Sequence, residues 1–575
     1  MNNTDPKISS DSGVPADLGH GPLSSTERIK MASDSLRGTL VESMSNEITG
    51  SLNEDDVALV RFHGMYVQDD RDRREERAAK KLERLYSFMI RLRLTGGFLK
   101  PEQWVALHHI AGENSTGVLK ITTRQTIQLH GVLKSKVKPT LKAFNEIGLT
   151  TIATCGDINR NVLCTSHPKE SPLHAEVFQI TKEVAKLLLP KTHAYYEIWL
   201  DHEKLVEKEL EQDPLYQNRY MPRKFKIGIA IPPNNDVDVL TNDLGLIAII
   251  EKGKLKGFNI AVGGGMSTTH GNPDHYARLA SVLGYVDKEN VLKAIYEVLT
   301  IQRDYGNRSD RKLARVKYTI DRLGVDWWRA ELERRCGFKL EKEKPFEFTQ
   351  RKDRYGWEKN YEGLWYYTVF VENGRVLDDE KVPLKSALLE VAQTGKATFI
   401  FTCNQNVILG DIKKENKKVI QEILERYGII EHTEKASGVR KNSIACVALN
   451  TCPLALAEAQ RYMPHLLDKI EDLLAKHDLN NEEIVIRMTG CPNGCARPFA
   501  AEIGFVGTAY GRYNLQIGGD RLGFRLNKIY KENLDEPAIL SELDYLFALF
   551  KKERKNGEHF GDFAERKQLV AEAVA

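Results

Sequence analysis

No stretch of about 18 apolar residues occurs anywhere in the 575-residue chain, so no membrane-spanning helix is expected. The opening residues, MNNTDPKISSDSGVPADLGHGPLSS, have neither the basic start nor the apolar centre of a secretory signal, and a cytoplasmic location is expected. An excess of one charge is also lacking. Lys and Arg number 83 against 80 Asp and Glu, a net +3 that makes no case for nucleic acid or a membrane surface as partner. No G-x-G-x-x-G with a following acidic residue is present; VGGGM at 262–266 does not supply one, so no nucleotide or flavin site of the chain's own is expected. Cysteine is scarce at eight residues, and in a reducing cytoplasm paired thiols read as metal ligands or catalytic groups before disulfides.

What is present is ample core. Hydrophobic residues make up 41% and charged residues 28%, the balance of a well-packed soluble protein, and the length allows about three to five globular units. Residues 1 to about 25 are rich in Ser, Asp, Gly and Pro and predict a mobile tail. From there to residue 65 the chain is polar with isolated apolar residues, which predicts an extended arm. The mixed-sign run RDRREERAAKKLERLY (71–86) predicts a solvated amphipathic helix, with helical periodicity continuing to about Arg93 before LTGGFL breaks it.

An internal repeat organises the rest. TTRQTIQLHG (122–131) aligns with TCNQNVILG (402–410), placing Gln125 opposite Gln405 and Leu129 opposite Leu409. Each follows a helical segment, PEQWVALHHIAG or LKSALLEVAQTG, and a short apolar strand, VLKIT or ATFIF. Downstream, KFKIGIAIPPNND (224–236) parallels EIVIRMTGCPNGC (483–495), and FNIAVGGGM (258–266) parallels YNLQIGGDR (513–521). The order is the same in both halves. The chain therefore reads as a duplicated α+β unit, each half a small domain and a larger one. A composite site is expected between the halves, because the second copy carries cysteines where the first has IPPNN.

Those cysteines are the sharpest local signal. Cys446 and Cys452 form C-x5-C in ACVALNTCPLALAEAQ, and Cys491 and Cys495 form C-x3-C in MTGCPNGCARP, with 38 residues between the pairs. Zinc knuckles prefer C-x2-4-C in each pair, so the first spacing is awkward for zinc. An iron–sulfur cube accepts wider spacing, and a Pro- and Gly-containing loop can turn backbone amides toward sulfur. Iron–sulfur is favoured on spacing; zinc and unrelated buried thiols stay open. Cys155, Cys164, Cys336 and Cys403 are isolated and read as small buried hydrophobes.

TRQTIQLHG, NRNVLC, PRKFK, ACVALNTCPLALAEAQRYMP and TGCPNGCARP together resemble the sulfite and nitrite reductase family that couples sirohaem to a 4Fe-4S cluster. The resemblance runs over about residues 21–563, and FHGMYVQDDRDRREERAAKKLE with the polar arm before it is closest to the family's NADPH-dependent assimilatory branch. It implies an α+β fold with a pseudo-two-fold axis, each half a ferredoxin-like half-domain plus a larger sirohaem/4Fe-4S domain, with the cofactors at the interface. Boundaries on that plan are a tail and partner-binding arm at 1–65, half-domains at 66–150 and 346–430, and larger domains at 151–345 and 431–575, the last carrying the cluster cysteines.

The resemblance also implies site residues. Cys446, Cys452, Cys491 and Cys495 would hold the cluster, and Cys495 would also ligate the sirohaem iron. Arg124, Gln125 and Gln128 would cradle the sirohaem, whose eight carboxylates need many cationic and amide donors; TTRQTIQ by itself reads only as a half-exposed strand with a surface arginine. Arg91, Arg160, Lys224 and Lys226 would bind the substrate, with Arg93 the rival for Arg91. Lys224 and Lys226 are two apart, hence on one face of a strand, a repulsive arrangement unless an anion sits between them. The implied reaction is six-electron reduction of sulfite to sulfide in assimilatory sulfur metabolism and cysteine biosynthesis, with a flavoprotein α subunit that oxidises NADPH as donor. Alternatives are a ferredoxin-dependent sulfite or nitrite reductase on the same frame, and a non-catalytic zinc-stabilised scaffold. Lys226 opposes the nitrite reading, since related nitrite reductases tend to carry asparagine there.

Overall fold

The computed structural model describes residues 21–191 and 213–570, with the backbone of two short strands between these spans. The mobile tail expected over residues 1–20 lies outside the described residues. The first half contributes β1 (Met65–Asp69), β2 (Tyr86–Arg91), β3 (Phe98–Leu99), β4 (Leu119–Ile121), β5 (Ile127–Val132), β6 (Leu163–Cys164), the short pair β7 (Trp199–Leu200) and β8 (Glu203–Lys204), β9 (Ile227–Ala230), β10 (Leu244–Glu251), β11 (Lys254–Val262) and β12 (Ser281–Asp287). The second contributes β13 (Gly356–Lys359), β14 (Trp365–Val369), β15 (Arg375–Val376), β16 (Thr398–Phe401), β17 (Val407–Ile412), β18 (Ser443–Ala445), β19 (Ile486–Thr489), β20 (Ile503–Ala509), β21 (Arg512–Ile517) and β22 (Lys528–Leu534).

The repeat is a repeat of topology. The two larger sheets run β12-β11-β10-β9-β6 and β22-β21-β20-β19-β18. In each, the three earliest strands are parallel and the last two are added through successive antiparallel pairings, so only the fourth runs opposite to the rest. The two smaller sheets, β1-β2-β5-β4-β15 and β13-β14-β17-β16-β3, are antiparallel and exchange edge strands: β15 of the second half closes the first sheet and β3 of the first half closes the second. One apolar core serves both small sheets, and within it Trp104 stacks on Phe399 with ring centroids 4.6 Å apart.

The aligned glutamines explain why the repeat kept them. Gln125 (φ 49°) and Gln405 (φ 68°) both occupy the left-handed region in the tight turns β4–β5 and β16–β17. Gln125 Nε2 donates to the Cys164 carbonyl at 2.8 Å and its Oε1 accepts from Cys164 N at 3.0 Å, tying the small sheet to β6. Gln405 Oε1 accepts from Ala445 N at 3.2 Å, tying its sheet to β18, and its Nε2 donates across the halves to the Ile121 carbonyl at 3.2 Å. A buried amide that meets backbone donors and acceptors in this way replaces ladder bonds that strand geometry cannot make there.

Two expectations about the first 93 residues change. The helix from 71 is short: after a 3-10 turn at Arg71–Arg73, a helix covers Arg74–Ala79, and Tyr86–Arg91 is strand β2. LYSFMI is an apolar run broken only by Ser87 and buried on both faces from Ser87 to Ile90, a pattern that cannot distinguish strand from buried helix. The segment expected as an extended arm is folded from residue 25, as α1 (Ser25–Ala32), α2 (Leu40–Ser45) and α3 (Glu54–Leu59). Its polarity conceals burial, since Glu27, Lys30 and Asp56 are each at most 2% exposed. Charges enter a core in this way when each finds a partner.

Candidate cluster and oxyanion site

Parallel strands explain how two distant cysteine pairs meet. β18 and β19 are parallel neighbours, so the loops that follow them leave the sheet at the same end. C-x5-C begins at the end of β18 and C-x3-C just past the end of β19. The loops are laced together: Cys446 N donates to Met488 O at 3.2 Å, and Leu456 N and Ala457 N donate to Gly490 O at 2.7 and 3.0 Å. Two sulfurs have donors directed at them, Gly490 N to Cys446 Sγ and Asn493 Nδ2 to Cys491 Sγ, each at 3.4 Å. Gly494 (φ 62°) brings the second loop against the first half, where a Cβ would lie 2.4 Å from Met266 O. Thr268 N completes that contact with a 2.8 Å bond to Pro492 O.

The four thiols influence one another. Burial pushes Cys446 well above the usual thiol range, and Cys495, Cys491 and Cys452 add to the shift. Burial and then Cys495 push Cys452 up to about 12, and the same two causes raise Cys491. Thiols so placed resist ionisation until a cation displaces their protons. Among the described residues no three His, Cys, Asp or Glu side chains gather closely enough to share one metal ion. The four cysteines lie on two loops laced to each other, and four thiolates are the donor set an iron–sulfur cube takes.

Cys495 is exposed and forms part of the wall of a cavity between the halves, together with Arg124, Lys226, Asn242 and Arg497. Arg124 donates to Asn242 Oδ1 at 3.0 Å, Asn161 O at 2.5 Å and Ile227 O at 3.2 Å, while its buried Nε has no partner. Burial pushes its guanidinium down to about 9, still cationic at neutral pH. Arg497 joins Asp238 at 2.5 Å, and the same carboxylate takes Arg487 at 2.6 Å and Arg351 at 3.3 Å. One carboxylate against three buried guanidiniums leaves net positive charge, with N–H groups of Arg351 and Arg487 unpartnered. A polycarboxylate cofactor fits such a surplus.

Lys224 and Lys226 flank Phe225 on the segment leading into β9. Burial, then Arg223 and Arg315, push the Lys224 ammonium down to about 7. Lys226 is driven well below its usual range by burial, then Lys224 and Arg315. Arg315 is itself clamped by Asp243, at 2.9 and 2.8 Å, and Asp243 also accepts from Lys226 N at 3.0 Å. Among the described residues neither lysine ammonium has a carboxylate partner, and a bound anion would raise both back toward the ordinary ammonium range.

Arg91 and Arg160 meet at one carbonyl, that of Thr154, at 3.2 and 3.1 Å. Arg160 also grips Gly156 O at 3.0 and 2.7 Å and lies within electrostatic reach of Arg124 and Lys224. Gln128, with its amide oriented to satisfy both neighbours, accepts from Arg91 Nε at 2.8 Å and from Arg91 Nη2, and donates to His130 Nε2 at 3.1 Å. His130 Nδ1 is 3.0 Å from both Gln68 Oε1 and Thr451 Oγ1, so the network ends beside Cys452. Burial, then Lys120 and Arg91, hold His130 neutral.

Arg91, Arg160, Lys224, Lys226, Arg124 and Cys495 therefore occupy one region, with Gln128 supporting Arg91. Gln125 does not join them, since its amide is committed to Cys164. Arg93 departs as well, donating to Ala185 O at 2.9 Å. Sequence reasoning passed over Arg497, which stands inside the TGCPNGCARP motif, and His130, inside TRQTIQLHG. Asn242, Asp238 and Arg315 carry no motif, and nothing local marks them.

A duplicated α+β frame with four thiols beside a cation-lined cavity defines a class, redox proteins that set a thiolate-held cluster against an anionic cofactor. Within that class the chain belongs to the nitrite and sulfite reductase family. The model described as "Nitrite and sulphite reductase 4Fe-4S domain" matches residues 182–340, and "Nitrite/Sulfite reductase ferredoxin-like half domain" matches 81–147 and 358–427. A Leptospira biflexa protein named sulfite reductase [NADPH] hemoprotein beta-component is 62% identical over 540 residues, 94% of this chain and 97% of the relative. A protein of the same name from Anoxybacillus flavithermus is 52% identical over 555 residues, 96% and 97% of the two chains. The solved structure of the Mycobacterium tuberculosis NirA protein superposes with a TM-score of 0.77 at 26% identity, covering 96% of this chain and 97% of that one. Among the described residues no helix is long and apolar enough to cross a membrane.

Proposed function

We propose that this protein reduces sulfite to sulfide with sirohaem and one 4Fe-4S cluster, as the haemoprotein component of an NADPH-dependent assimilatory sulfite reductase serving cysteine biosynthesis. The observation that carries the reading is the placement of Lys224 and Lys226 on either side of Phe225, next to Arg160, Arg315 and Cys495, with no carboxylate partner for either ammonium among the described residues. The names of the relatives support the same reaction and a separate NADPH-oxidising flavoprotein α subunit, and a cytoplasmic setting suits both.

Cys446, Cys452, Cys491 and Cys495 would hold the cluster, with Cys495 shared by the sirohaem iron. Arg124 and Gln128, with Arg497, would meet sirohaem carboxylates. When bound, the paired cofactors store and deliver electrons to the sulfur atom. Sulfur passes from +4 to −2, so six electrons enter and three oxygens leave as water, each taking two protons. Arg91 and Arg160 offer guanidinium forks to the oxyanion, stabilising charge as S–O bonds break. Lys224 supplies a mobile proton, because burial pushes its ammonium down to about 7, where a group both donates and recovers a proton readily, and Lys226 adds a second donor beside it. As a working division of domains we keep 66–150, 151–345, 346–430 and 431–575, each span holding most of the strands of one five-stranded sheet.

The test is reconstitution. Purified protein should show sirohaem-type absorption, contain about four irons beyond the haem iron, and reduce sulfite with a viologen donor. Addition of an NADPH-oxidising flavoprotein should replace the viologen, and ferredoxin should not. Colourless protein inactive with sulfite would sink the proposal.

A further inference from the structure

A single buried ammonium fastens together the two segments that carry the oxyanion-binding cations. Lys30, on α1, is 2% exposed. Its Nζ lies 2.6 Å from Glu27 Oε1, 2.9 Å from the Met221 carbonyl and 3.6 Å from Asp157 Oδ2. Asp157 begins the stretch that ends in Arg160, and Met221 begins the stretch that carries Lys224 and Lys226. These stretches pair directly: Met221 N donates to Asp157 O at 3.0 Å, Phe225 N to Ile158 O at 3.0 Å, and Arg160 N to Phe225 O at 2.9 Å. Lys30 therefore grips both at the end where their pairing starts.

The clamp is reinforced around its rim. Arg308 joins Glu27 Oε2 at 2.6 Å and the Tyr220 carbonyl at 2.8 Å, and Arg311 holds Asp157 through two bonds of 2.6 and 2.8 Å. A helix of eight residues that merely covered apolar surface would have no need of a buried charge, since desolvating an ammonium is costly unless its partners repay it. We propose that Lys30 is a positioning residue for the oxyanion site, registering the Arg160 segment against the Lys224–Lys226 segment from outside the cavity. The N-terminal helix would then be a working part of the site rather than an appendage. This rests on the proposed sulfite reaction.

Lys30→Met tests it with little collateral damage. Each carboxylate keeps an arginine, Glu27 with Arg308 and Asp157 with Arg311, so no buried charge is orphaned. In the cofactor-loaded enzyme with a viologen donor, sulfite KM should rise about tenfold while kcat stays within about twofold. The sulfite dissociation constant, read from the visible spectrum without turnover, should rise in parallel, with cofactor content unchanged. Lys30→Gln keeps a donor for the Met221 carbonyl without the charge, and should fall between Met and wild type. Unchanged KM and binding in loaded Lys30→Met would overturn the assignment, as would losses that only follow cofactor content. Failure of both variants to give loaded protein would make the helix a folding element and overturn it equally. Wild-type enzyme that ignores sulfite would instead defeat the parent reading.

Discussion

Arg91 and Arg160 donate to the same backbone oxygen, that of Thr154, at 3.2 and 3.1 Å, although they are separated by 68 intervening residues. Two guanidiniums converging on one neutral acceptor leave charge to spare for an anion. Lysine cannot reproduce the fork that shares itself between a carbonyl and a ligand. Arg91→Lys should lower kcat/KM for sulfite by about ten- to a hundredfold, roughly 1.4 to 2.7 kcal/mol. Arg93→Met should leave sulfite KM unchanged and cost roughly 1–3 kcal/mol of stability, because the Ala185 carbonyl loses its donor. The pair of variants, assayed side by side by steady-state kinetics and urea unfolding, separates the two roles; the reverse pattern would exchange their assignments.

Cys495→Ser removes the one cluster-candidate thiol that is exposed. A hydroxyl is a poor ligand for soft iron, so the variant should lose cluster iron and all sulfite reduction. Metal analysis and the visible spectrum report this independently of turnover. Full cofactor content with normal rates would rule out the shared ligand.

Lys226→Asn keeps a hydrogen-bond donor but takes one charge from the pair with Lys224. Sulfite at neutral pH includes a dianion, whereas nitrite carries one charge, so the nitrite-to-sulfite ratio of kcat/KM should rise about tenfold, or ~1.4 kcal/mol. Both substrates are measured with the same artificial donor, which keeps partner docking out of the ratio. A constant ratio in fully loaded enzyme would show that Lys226 does not select the oxyanion.

Asp157 ties pH to the integrity of the site. Burial would raise its carboxyl, but Arg311, Lys30 and Arg223 overcome this and hold it well below the usual carboxylate range. Its folded value is therefore depressed, so its stabilisation is present above about pH 4, the unfolded value, and is lost as pH falls through the folded one. Asp157→Asn should destabilise by about 3 kcal/mol at neutral pH. The gap from wild type should narrow progressively in acid, as seen by unfolding at a series of pH values. A gap independent of pH would show that the charge of Asp157 is not what matters.

Much of the frame was legible because it depends on local or periodic features. The duplication appears as four matched segments, and each falls on equivalent strands. C-x5-C and C-x3-C favoured an iron–sulfur centre over zinc, since ligand spacing within a loop is a local matter, and the family resemblance of the surrounding motifs supplied the rest. Lys224 and Lys226 were readable as neighbours because alternate residues of an extended chain share a face.

The sequence by itself determined which residues could ionise, ligate or pack, and the order in which strands and helices follow one another. Only the tertiary structure decided that β3 and β15 change sheets, that Gln125 ties β6 instead of facing the cavity, and that Arg497 shares Asp238 with two other arginines. It also decided that Lys30 reaches a carbonyl 191 residues away. A charged side chain in sequence looks the same whether water or a buried partner will meet it, and desolvation by distant segments makes the difference.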